Sequence, residues 1–434
     1  LAASLRTPKN TTIYARDGLA IVALVWVLMS AFGALPFVIS GEIPAFADAF
    51  FEMVSGFTTT GSTILNDVEA LSRGALFWRS FSHWVGGMGV LVFAMAVLPM
   101  TDGRAMHLMR AEVPGPTCGK LSSKLSDSAK ILYGIYFAMT ALEVVFLCAG
   151  GMSLYESLIH SFGTAGTGGF SNRGLSIGAY QNPYFEWVIG IFMLLFGVNF
   201  NLYYFILMRH FREAFGSEEL RAYLGIVLFS TVTIAANILS MVGSVGEAVR
   251  TAFFQVSSII TTTGYATADF NLWPTYSRIL LLVLMFVGGC AGSTAGGLKM
   301  SRVIIFFKAA RQDLNKMLHT HAVTTIRFEG KPLDEKTLQG VHNYFNVYML
   351  LIMLSTVLVS LDGFDLTTTF TAVITCINNV GPGMELVGPM GNFSQFSAPV
   401  KYLLSFNMLA GRLELYPMLA MFAPRLWRRR RTMR

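Results

Sequence analysis

Four short clusters of threonine, glycine and asparagine have the residue types to bind a cation. They read Thr58-Thr59-Thr60-Gly61, Gly166-Thr167-Gly168-Gly169, Thr261-Thr262-Thr263-Gly264 and Asn378-Asn379-Val380-Gly381. A cation leaving water needs oxygen ligands in return, and rings of backbone carbonyls supply them in selectivity filters. Successive carbonyls face one side only when the backbone takes unusual dihedrals, which glycine permits without steric cost. Threonine adds a hydroxyl on a stiff, β-branched side chain. The candidate ion ligands are therefore Thr59, Thr60, Gly61, Thr167, Gly168, Gly169, Thr262, Thr263, Gly264, Asn379, Val380 and Gly381. One such cluster alone reads as a turn; four in the same context read as a repeat.

The context is shared by all four. Each cluster ends an apolar or amphipathic stretch too short to span a bilayer, at 46–57, 152–163, 249–260 and 366–377. A loop and a long apolar helix follow each one. The unit is helix, half-helix, polar turn, helix, and it fills 1–110, 111–215, 216–330 and 331–434. Each half-helix aims its partially negative C-terminal end at the cluster, which favours a cation. Half-helices inside a membrane must be buried in protein or line water, and a central pore meets that requirement. The expected fold is an all-α membrane protein: eight spans and four re-entrant half-helices around one pseudo-fourfold pore.

Composition agrees. Only 13% of the 434 residues are charged, against about 25% in ordinary soluble domains, and the mean hydropathy is +0.55. Apolar runs long enough to span lie at 18–40, 75–100, 131–150, 185–208, 223–242, 276–307, 344–361 and 400–422. The first is too long for a signal-peptide core. The outer loops hold Arg73, Arg173 and Arg250 against many acids, among them Glu42, Asp48, Glu52, Glu156, Asp365 and Glu385. The other connections are basic, with Arg104, Arg110, Lys120 and Lys124, then Arg209 to Arg221, then Lys308 to Lys331, then Arg425 and Arg428–Arg431. Lys/Arg-rich connections stay in the cytoplasm, so both termini are placed there and the acidic loops outside. Those acids would concentrate cations at the mouth. The net charge of +7 is thus topology, not a nucleic-acid surface. Cys118, Cys148, Cys290 and Cys376 form no CxxC pair and read as small buried hydrophobes. The seven histidines share no ligand spacing, Gly86-Gly87-Met88-Gly89 lies in a span, and no nucleophile–base set occurs, so the chain does not read as an enzyme.

Two features lie below the clusters. The sixth apolar run is interrupted at 288–297 by Gly288, Gly289, Gly292, Gly296 and Gly297, together with Ser293 and Thr294. Each interior glycine costs a helix about 1 kcal/mol relative to alanine. The stretch is either a small-residue packing face or an unwound loop across the pore. Arg412 lies inside the last apolar run, where a charge is costly and faces a cavity or a partner. It forms either a structural ion pair or an electrostatic barrier at a constriction. Glu414, two residues on, lies on another helix face. Lys299 either assists Arg412 or marks the cytoplasmic end.

Across essentially its whole length the sequence resembles the Trk/Ktr/HKT superfamily of potassium transporters, nearest its bacterial TrkH branch. The matching residues are the four clusters, Phe57 and Ser62 around the first, His160-Ser161-Phe162 and Phe170 around the second, Tyr265 after the third, Pro382-Gly383 after the fourth, the 288–297 stretch and Gly411-Arg412-Leu413-Glu414. The resemblance implies a potassium-uptake channel with filter glycines at Gly61, Gly169, Gly264 and Gly381. In plant relatives a serine at the first of these goes with sodium, so four glycines imply K+. It implies a gating role for the 288–297 loop and a location in the bacterial inner membrane. It also implies a homodimer of separate pores and a cytosolic nucleotide-binding regulatory subunit of the TrkA type, for which the basic inner loops offer a docking surface. Members of that branch often carry two helices ahead of the first repeat; this chain starts almost at that repeat, so the pair is expected to be absent or not included. Repeats and broken helices also occur in alternating-access transporters, so a secondary cation transporter coupled to H+ or Na+ is the rival reading.

Overall fold

The computed structural model describes residues 15–89, 125–319 and 325–424. Each unit opens on a long apolar helix: Ala15–Ser40, Leu125–Ala149, Glu218–Val242 and Glu335–Val359. Each has 25 or 26 residues, enough at about 1.5 Å per residue to cross an apolar layer of roughly 30 Å. Their outer faces carry exposed large apolar side chains, such as Phe32, Ile39, Val145, Phe229, Leu350 and Val357. Lipid is the solvent that such faces require.

The half-helices are Phe46–Phe57, Leu154–Gly166, Val245–Ile260 and Leu366–Asn378, within a few residues of expectation. Their starts are set by local chemistry. Ser153 Oγ accepts from the Glu156 N–H, and the Asp365 carboxylate accepts from the Thr368 N–H, which satisfies N–H groups a helix start leaves free. Each half-helix packs on the opening helix of its own unit. Each also packs on the closing helix of the preceding unit: the second on Arg73–Gly87, the third on Pro183–Phe196, the fourth on Thr275–Phe286 and the first on Ala398–Arg412. The four units therefore close on one another in chain order.

The closing helices depart from the expected continuous spans. Among the described residues four helices are long and apolar enough to cross a membrane, and Pro183–Phe196 with Phe200–Leu207 would make a fifth but is bent by 92°. That break falls at Gly197, with Asn199 capping the second helix by accepting from the Asn201 N–H. The run at 276–307 breaks between Thr275–Phe286 and Met300–Leu318. The run at 400–422 ends its helix at Arg412, and Glu414 and Leu415 take positive φ before a short helix, Tyr416–Ala420. The run at 75–100 is described as helix only over Arg73–Gly87. Residues 90–124 and 425–434 lie outside the described residues, and with them Cys118 and the basic groups Arg104, Arg110, Lys120, Lys124, Arg425 and Arg428–Arg431. Among the described residues Cys290 and Cys376 are buried free thiols, while Cys148, also free, is only half-buried.

Candidate cation pore

All twelve candidate ligands lie directly after the C-terminal ends of the half-helices, and all four turns have one backbone geometry. Thr59, Thr167, Thr262 and Asn379 have φ of 55°, 57°, 57° and 54°. Two residues on, Gly61, Gly169, Gly264 and Gly381 have φ of 85°, 76°, 83° and 101°. The intervening N–H bonds back five residues: Thr60 to Ser55 O at 2.8 Å, Gly168 to Gly163 O at 2.8 Å, Thr263 to Ser258 O at 2.8 Å and Val380 to Thr375 O at 2.9 Å. This is the Schellman closure of a helix C-terminus. Left-handed backbone costs an ordinary residue roughly 1–2 kcal/mol, so three threonines there are held by what surrounds them.

The turns form a closed ring. A Cβ built on Gly61 would lie 2.1 Å from Gly168 O, and one on Gly169 2.0 Å from Thr263 O. One on Gly264 would lie 2.3 Å from Val380 O, and one on Gly381 2.8 Å from Thr60 O. Each final glycine thus abuts the carbonyl of the next unit, first to second, second to third, third to fourth and fourth to first. Nothing larger than glycine fits. Hydroxyls of Thr58 and Thr60 pair at 2.8 Å, and those of Thr261 and Thr263 at 2.7 Å, in units one and three. Asn379 Nδ2 donates to Thr60 Oγ1 at 2.9 Å and to Met408 O at 3.0 Å, which seals the fourth unit to the first. On one side of the ring a vestibule is lined by Gly61, Gly169, Gly264 and Gly381.

On the other side of the ring, 288–297 is an unwound loop, not a helix-packing face. Its two ends meet where Val287 pairs with Leu298, and Gly288 N donates to Leu298 O at 2.9 Å. A Cβ on Gly288 would lie 2.0 Å from Gly296 O, and Gly292 and Gly297 have positive φ, so this reversal needs its glycines. The loop leans on the break in unit two: Cys290 N donates to Gly197 O, Phe200 N to Gly292 O, and Thr294 Oγ1 to Phe196 O. Ser293 Oγ turns inward to Cys290 O at 2.6 Å, and Gly289 packs against Gly197 O. Gly296 N donates to Thr262 Oγ1 at 2.6 Å, a direct bond between loop and ring. Arg412 donates to Thr294 O at 2.8 Å, Gly86 O at 2.6 Å and Gly87 O at 2.5 Å. It therefore joins the loop to the closing helix of unit one. Lys299 is buried and donates to Ala295 O within the loop. Glu414 pairs with Arg302, whose guanidinium lies 4.0 Å over the Tyr344 ring.

Sequence reasoning missed several supports. Glu219 Oε1 accepts from Ala291 N and from Ser301 N, both at 2.8 Å, and so ties both margins of the loop. Glu52, read above as an acid of the outer mouth, is instead wholly buried and paired with Arg79 at 2.5 Å. Glu156 and Glu385 are likewise engaged, by Arg173 and by Arg278. His83 is buried beside the ring. The signal that singled out Arg412, a charge inside an apolar run, applies equally to Arg79.

Comparison with known proteins gives one consistent result. The family model TrkH, described as cation transport protein, matches residues 1–429. The Trk system potassium uptake protein TrkH of Escherichia coli (strain K12) is 38% identical over 420 residues, spanning 95% of this chain and 86% of that protein. The Trk system potassium uptake protein TrkG of the same strain is 35% identical over 418 residues, with the same coverage. The crystal structure of the potassium transporter TrkH from Vibrio parahaemolyticus superposes with a TM-score of 0.86 at 31% identity, covering 98% of this chain and 88% of that one. This is a multi-pass membrane protein, and it belongs to the TrkH family of cation transport proteins.

Proposed function

We propose that this chain carries potassium ions across the membrane through a gated central pore. The observation that carries the reading is the ring, in which four turns of one geometry set each glycine against the next unit's carbonyl. The twelve residues of the turns are the K+ ligands, with the chain as four helix–half-helix–helix units over 1–110, 111–215, 216–330 and 331–434. The loop at 288–297, held by Arg412, is the gate. The names of the relatives supply the ion. A bacterial inner-membrane location with cytoplasmic termini, a homodimer and a nucleotide-binding cytosolic partner of the TrkA type belong to the same reading, supported by the family and by the basic inner connections. Potassium, rubidium and sodium fluxes into liposomes test it, with Gly264→Ser beside the parent. The added Cβ meets Val380 O at a φ of +83°, and a strain of roughly 1 kcal/mol or more is about fivefold or more in a binding ratio. The K+/Na+ ratio is expected to fall at least that far, and an unchanged ratio refutes the filter. Single-channel currents in a bilayer exclude alternating access; strictly coupled turnover with H+ or Na+ favours it.

A further inference from the structure

Behind the first two turns lies a buried polar group, of which Arg79 also reaches the wall of the vestibule. Arg79 and His83 stand one turn apart on Arg73–Gly87, and Glu52 faces them from Phe46–Phe57. All three are at most 2% exposed. Glu52 Oε1 accepts from Arg79 Nε at 2.5 Å and from Thr63 Oγ1 at 3.0 Å, and Oε2 accepts from Ile64 N at 3.0 Å. Thr63 and Ile64 belong to the segment leaving Gly61. The other end of Arg79 holds the segment leaving Gly169: a terminal nitrogen donates to Ser171 O at 3.1 Å, and the guanidinium lies 3.7 Å over the Phe170 ring. His83 Nδ1 is 2.7 Å from Gly56 O, a carbonyl, so Nδ1 carries the proton. Its Nε2 then accepts from Phe170 N at 3.3 Å. The imidazole sits against the ring itself, since a Cβ on Gly168 would meet it at 2.4 Å. Tyr265, the residue after Gly264, donates to Phe170 O at 3.3 Å and carries the link into unit three.

We infer that Glu52, Arg79 and His83 are positioning residues that set the width of the pore at units one and two, and through it the preference among monovalent cations. The inference rests on the ring being the filter. Stiffness of the ring decides how closely its carbonyls can follow an ion. The segments leaving Gly61 and Gly169 are loops, which without cross-links would let the carbonyls relax around a smaller ion. Here each loop is fixed by charge-assisted bonds to one buried pair, the strong class of hydrogen bond, inside a network whose low dielectric strengthens every member. His83 fixes the same two turns a second time, as donor to the first half-helix and acceptor from the second turn.

The test is the Na+/K+ flux ratio in liposomes, which is set per pore and does not move when less protein folds. The variants are His83→Asn, Arg79→Lys, the double variant Glu52→Gln with Arg79→Gln, and Gly264→Ser as the reference. Asparagine is too short to span Gly56 O and Phe170 N together; lysine keeps the charge but lacks the fork that reaches Ser171 O. The double variant leaves no lone buried ion, and if it fails to fold the two single variants carry the test. Loss of one hydrogen bond at each site is expected to raise Na+/K+ about three- to tenfold. Parent-like ratios in the brace variants, with a shifted ratio in Gly264→Ser, overturn the brace and leave the filter standing. Parent-like ratios in all of them, Gly264→Ser included, overturn both.

Discussion

The ring and the loop below it are built on opposite plans. The ring repeats one turn four times from three different sets of letters, and every unit supplies the same backbone closure. Among the described residues the loop exists once, in unit three, and is tied by dissimilar groups: the Glu219 carboxylate, the Lys299 ammonium, the Thr262 hydroxyl and the Arg412 guanidinium. A site that surrounds an ion with equal ligands needs equality around its axis. A barrier needs only one movable part, and fastening it by a few separable bonds lets it be released. The contrast fits the proposed function, with selectivity in the fourfold region and control of flux in the singular one.

Arg412→Ala should break the loop's hold most strongly. A unit charge about 4 Å from an ion is worth about 4 kcal/mol at an effective dielectric constant of 20, and the Thr294, Gly86 and Gly87 carbonyls lose a donor as well. Potassium flux into liposomes is expected to rise at least about tenfold with the K+/Na+ ratio unchanged. Unaltered flux, or a ratio that moves with it, would erase the division between the two regions. Thr262→Val is milder and probes their joint. It removes the acceptor of the Gly296 N–H, a loss of about 1–3 kcal/mol for a buried donor. Flux should rise a few-fold while the ratio, Thr262 keeping its backbone carbonyl in the ring, falls less than in Gly264→Ser; a ratio shifting as much as the flux would make ring and loop one mechanical unit. The smallest effect belongs to Thr167→Gly, which relieves the left-handed strain at φ 57°. Thermal unfolding in detergent should show a gain of up to about 1 kcal/mol. A loss would mean that the Thr167 Oγ1 bond to Gly166 O at 2.6 Å outweighs the strain.

Much of this architecture was legible in the chain, for a physical reason. Thr-Gly turns after short apolar stretches leave a mark in the letters, so the half-helices and turns were found nearly to the residue. Even Asn378-Asn379-Val380-Gly381 was found, by context, although its letters match no other unit; asparagine tolerates the left-handed region that the turn demands. The breaks in the closing helices were legible only at 288–297, where glycines accumulate. Gly197 is one of two glycines in the 185–208 run, and nothing in the letters sets it apart from Gly190; its carbonyl accepts from the distant Cys290 N. Glu414 and Leu415 give no local warning of their positive φ. Glu52 was misplaced because a hydropathy reading assigns an acid between spans to water, while the ring draws that stretch inward against Arg79. Pairing of Arg79 with a carboxylate and a neighbouring carbonyl depends on residues far apart in sequence, which periodicity does not reveal.

The closure of the ring also sets a schedule for biosynthesis. The bonds that seal it, Ser62 Oγ to Gly381 O and Asn379 Nδ2 to Thr60 Oγ1, each join residues 319 positions apart. At about 5–20 residues per second, the first turn waits on the order of tens of seconds for its last neighbour to emerge. Until then three units enclose a polar cleft that opens sideways toward lipid, where unsatisfied backbone groups are not tolerated. The nascent protein must therefore keep that cleft wet or sheltered by other proteins, and a chain stopped before Leu366 would leave a permanent slot in the membrane instead of a pore.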